Sequence, residues 1–92
     1  MCVPVRRALI VEANGELFRF YYDRDRSDQL HIVARHGARP EDTIATFFRG
    51  VTIWNDRSMR YETLTETHCL YWTRHAHDRS VIIVSCFELG DN

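Results

Sequence analysis

The fold class is indicated by the stretch His31-Ile-Val-Ala-Arg-His-Gly-Ala-Arg-Pro-Glu-Asp-Thr-Ile-Ala-Thr-Phe-Phe48, because it predicts two short helices between runs typical of strands. Gly37 is placed to end a first helix in the left-handed conformation, and Ser27 is its expected N-cap. Pro40 fits the first turn of a second helix, which Gly50 ends. The residues expected to pack on the sheet are apolar and helically spaced: Leu30, Val33, Ile44, Phe47 and Phe48.

A β-hairpin is expected before the helices. Two strand-like runs, residues 8–12 and 17–22, flank Asn14-Gly15. That dipeptide favours a type I′ turn, because both central residues of such a turn need positive φ. The two-residue period of a strand then puts Phe18, Phe20 and Tyr22 on one face, which we expect to be the core face.

Three further strands are expected after the helices, near residues 59–64, 69–73 and 81–87, and an additional short strand at 51–54 is left open. The run Val81-Ile82-Ile83-Val84 is apolar on both faces, which favours a central, covered strand. The sequence therefore predicts one α+β domain over residues 1–92. It would be a small antiparallel β-sheet with two short helices packed on one face, in the order ββααβββ.

Composition narrows the classes of partner. A chain of 92 residues has room for one core, and its 45% hydrophobic content is typical of a globular protein. The formal net charge is −1, with all 12 Lys+Arg cations being arginines, so no bulk field draws the chain to nucleic acid or to anionic lipid. Any contact with RNA must be local.

The three cysteines, at positions 2, 69 and 86, form no Cys-x-x-Cys pair and leave an odd number. Neither a disulfide framework nor a cysteine zinc site is indicated, so a cytoplasmic location is expected. No apolar run approaches the roughly 18 residues that span a bilayer, so no membrane contact is expected. No glycine-rich phosphate loop is present, and no cofactor is expected.

Several short motifs carry a resemblance to a known family. Residues 31–48 resemble the two-helix signature of BrnT-type ribonuclease toxins, and Phe20-Tyr21-Tyr22-Asp23 is similar to that family's opening strand. Residues 60–64, 70–73 and 81–85 resemble its three-stranded meander. The resemblance implies a RelE-like fold and a toxin–antitoxin function, in which metal-independent RNA cleavage is neutralised by an antitoxin.

Candidate catalytic residues follow from that resemblance and from the chemistry. Metal-free RNA cleavage needs a base for the 2′-hydroxyl, a cation for the phosphorane and an acid for the leaving oxygen. His36 matches the family's histidine and is the candidate acid or base, with Arg35 as phosphate clamp. Arg60 and Arg74 would face one groove with them if the strands that carry these arginines pair. The alternatives are a His36 that interacts with the helix dipole and arginines that are simply solvated.

The chain also departs from the family pattern. An acidic end, residues 86–92, stands where the family has a basic C-terminal helix, which weakens the electrostatic attraction to RNA. A non-catalytic protein-binding module, such as a small inhibitor from a phage or mobile element, is therefore the alternative function. A protein partner is expected in either case, with RNA contact and self-association left open. Large aromatics are the candidate partner contacts, in a rim of Arg57, Arg60, Glu88 and Asp91: Trp54, Tyr61, Tyr71 and Trp72. Tyr61 and Trp72 could also stack on RNA bases, and core packing is the alternative for these two.

His75 and His77 have the spacing that puts two imidazoles on one face of a strand, with His68 expected across the hairpin as a third ligand. Asp78 and Arg79 indicate a turn instead. An exposed polar loop is favoured, so no metal site is expected.

Overall fold

The computed structural model describes residues 7–90, which form six strands and two helices. In chain order these are β1 (Ala8–Ala13), β2 (Glu16–Tyr21), α1 (His31–His36), α2 (Pro40–Arg49), β3 (Val51–Asn55), β4 (Arg60–Leu64), β5 (His68–Arg74) and β6 (Val81–Glu88). The α+β class is confirmed. The optional strand after α2 is present, so the order is ββααββββ and the shorter order ββααβββ is wrong. Cys2 and Asp91 lie outside the described residues.

The six strands form one mixed sheet in the order β1-β2-β6-β5-β4-β3. All neighbours are antiparallel except β2 and β6, which pair in parallel over Phe18–Phe20 and Val81–Ile83. The expectation of a purely antiparallel sheet is therefore wrong. The last strand inserts beside β2, and hairpin signals cannot show such a pairing because it joins segments about 60 residues apart in sequence.

The first hairpin forms as predicted. Asn14 and Gly15 have φ of 50° and 84°, which is the pair of positive values that a type I′ turn requires. Phe18 and Phe20 are buried, so the core face of β2 is also confirmed. Tyr22 is half-buried and forms an isolated bridge with Leu30.

The helix ends are explained by local chemistry. Leu30, not Ser27, is the N-cap of α1, because its bridge to Tyr22 holds it extended where the helix begins. Gly37 ends α1 at φ 68°, and its amide donates to the Val33 carbonyl at 3.1 Å. In α2, Pro40 occupies the first turn. The hydroxyls of Thr43 and Thr46 donate to carbonyls four residues earlier, so both threonines are buried without unpaired polar atoms.

Both helices and one face of the sheet share a single core. α1 packs against β6 and β2, while α2 packs against β5 and β4. Leu30, Ile44 and Phe47 pack on this core as expected. Val33 and Phe48 do not become buried; Phe48 is 41% exposed at the margin of α2, although its ring centroid is 5.9 Å from that of Phe18.

A register shift in β6 sets the shape of the core. Tyr71 pairs with Ser85 and Trp72 with Ile83, so Val84 has no partner on β5 and forms a bulge. The extra residue brings Cys86, like Ile83 and Val81, to the buried side. The sheet face that points away from α2 is named the open face. Among residues 7–90, no helix is long and apolar enough to cross a membrane.

Candidate functional site

The β3 edge, residues 51–55, is the most exposed apolar strand of the protein. Within the described chain β3 pairs with β4 on one side, and no strand covers its other side. Val51 is 73% exposed, Ile53 53% and Trp54 44%. An edge of this kind presents unpaired backbone N–H and C=O groups together with apolar side chains, which is what an added strand requires.

An aromatic row leads from this edge into the core. Trp54 contacts Tyr61 at a ring-centroid distance of 4.8 Å, Tyr61 stacks on Trp72 at 4.4 Å, and Trp72 meets Phe47 at 4.9 Å. The cause is the register, because Trp54 pairs with Tyr61 and Tyr61 with Trp72. The row ties the exposed indole of Trp54 to packed side chains. An anchor held in this way loses little conformational freedom on binding.

The four candidate aromatic contact residues differ in exposure and in position on the sheet. Trp72 is only 5% exposed and donates from its indole to Thr63 Oγ1 at 2.8 Å, so its assignment as a contact residue is wrong. Tyr61 is half-buried inside the row. Tyr71 lies on the open face beside Phe87, two strands away from β3. Trp54 alone of the four is exposed and at the edge.

Arg35 is engaged by carboxylates. Its Nε donates to Asp23 Oδ1 at 2.9 Å, and one terminal nitrogen donates to Asp25 Oδ2 at 2.6 Å. Asp23 is buried, and its carboxylate also accepts the backbone amides of Asp25 and Arg26. Arg35 thus closes the loop between β2 and α1, and a phosphate would have to displace two carboxylates to use it.

Arg60 and Arg74 do not face one groove. Tyr61 pairs with Trp72, so Arg60, one residue before Tyr61, and Arg74, two residues after Trp72, point to opposite faces. Arg74 forms a bidentate ion pair with Glu16 at 2.7 and 3.1 Å and lies over the Trp72 ring. The expected convergence of these two arginines is wrong.

His36 and Arg60 lie at opposite ends of the sheet. The His36 ring is 6.0 Å from Phe87, which pairs with Cys69, and Cys69 pairs with Leu64. Arg60 is four residues from Leu64 along β4, a distance of about 13 Å in a strand, and β4 is two strands from β6. One phosphate therefore cannot reach His36 and Arg60 together.

A histidine that the sequence analysis left out lies beside His36. The rings of His31 and His36 are 5.6 Å apart, and His31 Nδ1 is 3.3 Å from Asp23 Oδ1. The hydrogen bond from Arg35 and those from the loop amides and His31 lower the pKa of Asp23 to about 2. Burial and the nearby positive charge of His31 and Arg35 lower the pKa of His36, which favours its neutral ring. Residues five apart do not share one face of a helix, so the spacing of these histidines gave no signal for the pair.

No family model, curated protein or solved structure matches the chain. The resemblance to BrnT-type toxins thus stays a prediction, and function has to be argued from the residues themselves.

The loop between β5 and β6 is held by an ion pair and by hydrogen bonds. Asp78 pairs with Arg19 of β2, and the Ser80 hydroxyl and amide, together with Arg19, hold the pKa of Asp78 well below its usual range. The His75 and His77 rings are 5.7 Å apart, but His68 sits at the opposite end of β5. Among residues 7–90 no group of three His, Cys, Asp or Glu side chains is placed to hold a metal ion.

Proposed function

We propose that the protein is a non-catalytic protein-binding module that docks its partner by adding a strand to the β3 edge. The observation that carries the proposal is the exposure of Val51, Ile53 and Trp54 on a strand with no charged residue between 50 and 55. Charged side chains usually protect edge strands from pairing with other chains. Their absence at β3 makes this edge open to a partner.

The backbone and the side chains of β3 would contribute to binding in different ways. Backbone hydrogen bonds to β3 would supply affinity, and the alternating side chains would supply specificity. Ile53 projects from the open face, while Trp54 projects from the opposite face beside Tyr61. Asp56 and Arg57 follow directly, with Asp56 Oδ1 accepting the Trp54 indole N–H at 2.6 Å. These charges form a rim that would affect the association rate and the choice of partner.

Trp54→Ala is expected to weaken partner binding at least about tenfold, because a large aromatic at an interface centre commonly contributes about 2 kcal/mol or more. The measurement is capture of partners from cells of the source organism by tagged protein, followed by titration of the isolated complex. Tyr71→Ala is the matched control, since it removes an aromatic of the open face two strands from β3. Circular dichroism would show that both variants fold.

Recovery of no specific partner would count against the proposal. So would a folded Trp54→Ala variant that binds as the wild type does, or a loss of binding confined to Tyr71→Ala. The last result would move the docking surface to the open face.

A second candidate function, metal-independent RNA cleavage, is favoured by one observation, the His31–His36 pair. A neutral His36 suits the base that takes the 2′-hydroxyl proton. Asp23 beside Nδ1 of His31 favours a ring that carries a proton on that nitrogen, and such a ring is oriented for acid–base work. This pair replaces the earlier set in which His36 acted with Arg60.

If the second candidate holds, RNA cleavage persists with a chelator present and falls about 10²-fold or more in both His36→Ala and His31→Ala, the contribution typical of general acid–base groups. Arg60→Ala is the control at the other end of the sheet and should retain cleavage. Wild-type protein that leaves RNA intact would exclude this function. Equal losses in Arg60→Ala and His36→Ala would exclude the histidine pair as its centre.

A further inference from the structure

Within residues 7–90 the sheet has two edges, and they differ in chemistry. The strand at one edge, β1, carries the exposed Glu12, whereas β3 carries no charged side chain. Charge on an edge strand opposes pairing with another chain. An uncharged, exposed strand such as β3 can also pair with an identical strand without bringing like charges together.

We infer that β3 pairs antiparallel with the β3 of a second copy of this chain, with Ile53 opposite Ile53. This inference rests on the proposed docking edge and names its occupant. In that register Val51 lies opposite Asn55 and Thr52 opposite Trp54, so no charged pair arises along the five-residue strand. The two six-stranded sheets become one continuous sheet of twelve strands.

The side chains on both faces fit this occupant. On the open face, Val51 lies beside Leu64 of β4, and Ile53 is the next residue of β3 on the same face. Ile53 would meet the Ile53 of the second copy across the axis, which continues this row of exposed aliphatic side chains into the second sheet. On the other face, each Trp54 would lie over the Thr52 of its partner, a cross-strand pair of an aromatic and a β-branched residue. Val51 and Ile53 gain cover in the dimer, whereas Leu64 remains one strand away from the new pairing.

Symmetry favours β3 with itself over β3 with β1. A twofold axis through Ile53 uses the same patch on both copies, so the assembly closes at two chains. Pairing β3 with the β1 of the next chain would leave new edges at both ends and would continue into a filament. A five-residue ladder is a small interface, so the dimer should be reversible and dependent on concentration.

Sedimentation of the full chain over a range of concentrations measures dimerisation. Oppositely charged substitutions of Ile53, the residue at the twofold axis, then test the register. Ile53→Lys should stay folded, because Ile53 pairs with Glu62 on β4 and a lysine there has a carboxylate neighbour. It should dimerise at least about tenfold more weakly, since two lysines would meet at the axis. Ile53→Glu, made with Glu62→Gln to remove the like charge within the chain, should behave in the same way.

An equimolar mixture of the two variants should recover a one-to-one dimer, because opposite charges then meet. Ile10→Glu on β1 is the control: Ile10 is also exposed, and it pairs with Arg19, which accommodates a glutamate. This variant should dimerise like the wild type. Recovery in the mixture is specific for the proposed register.

Three results would overturn the inference: a wild-type chain that stays monomeric at all concentrations, an Ile53→Lys variant that dimerises like the wild type, or a dimer lost in Ile10→Glu. A monomeric wild type that still captures a different protein through Trp54 would overturn the second copy as occupant and leave the docking function standing. A monomer that captures nothing would remove both.

Discussion

Phe18→Ala is expected to lower the free energy of unfolding by about 3–5 kcal/mol, the usual cost of removing a buried phenylalanine ring. Phe18 is fully buried, and its ring meets Phe47 edge-on at a centroid distance of 5.1 Å. It also lies on β2 next to Val81, where the sheet has its parallel pair. The substitution therefore opens a cavity at the junction of α2, β2 and β6.

The loss is large for a domain of this size, because small domains have a total stability of about 5–15 kcal/mol. Denaturant unfolding measures it, with the midpoint expected to fall. Phe48→Ala is the matched control, since this ring belongs to the same aromatic group but is 41% exposed. Its cost should be less than half that of Phe18→Ala. Equal costs for the two variants would show that the core is not centred on Phe18.

Gly50→Ala is expected to destabilise the protein by about 1–3 kcal/mol, because the new methyl group would overpack a closed junction. Gly50 joins α2 to β3, and a Cβ there would lie 2.5 Å from Thr63 Cγ2. Two backbone oxygens, those of Leu64 and Thr46, would lie within 2.9 Å. The φ of Gly50 is −80°, so crowding and not backbone strain is the cause.

Thermal or denaturant unfolding of Gly90→Ala provides the control, because a Cβ at Gly90 meets nothing within 4 Å. That variant should differ from the wild type by less than about 0.5 kcal/mol. A Gly50→Ala protein as stable as the wild type would mean that the turn from α2 into β3 can open. In that case the position of the β3 edge would not be held by this junction.

The elements of the fold were predictable because their signals are local. Asn14-Gly15, Pro40 and Gly37 act through φ preferences of single residues, and the apolar period of each strand lies within its own run. The strand order was not predictable in the same way. The pairing of Phe18 with Val81 joins distant segments, and the bulge at Val84 depends on how β5 and β6 meet.

For the candidate site, too, the type of residue was predictable from the sequence, whereas its contact partner was not. Arg35 and His36 were identified from their side-chain chemistry, but Asp23, which binds Arg35, lies twelve residues earlier and was assigned no role from the sequence. Its carboxylate accepts amides two and three residues ahead, a recurrent turn motif that the sequence analysis did not use. Trp54 was identified as an anchor, whereas its place at an open edge followed only from the sheet order.

Amide hydrogen exchange of residues 51–55 is a direct test of strand addition, because pairing at the β3 edge must change the protection of that strand. Spectra would be compared between the free protein and the complex, whether the partner is a second copy or another protein. We expect slower exchange at alternate amides of β3 on binding, with Ala8–Ala13 of β1 unchanged. Unchanged β3 amides in a bound state, or new protection confined to β1, would contradict it.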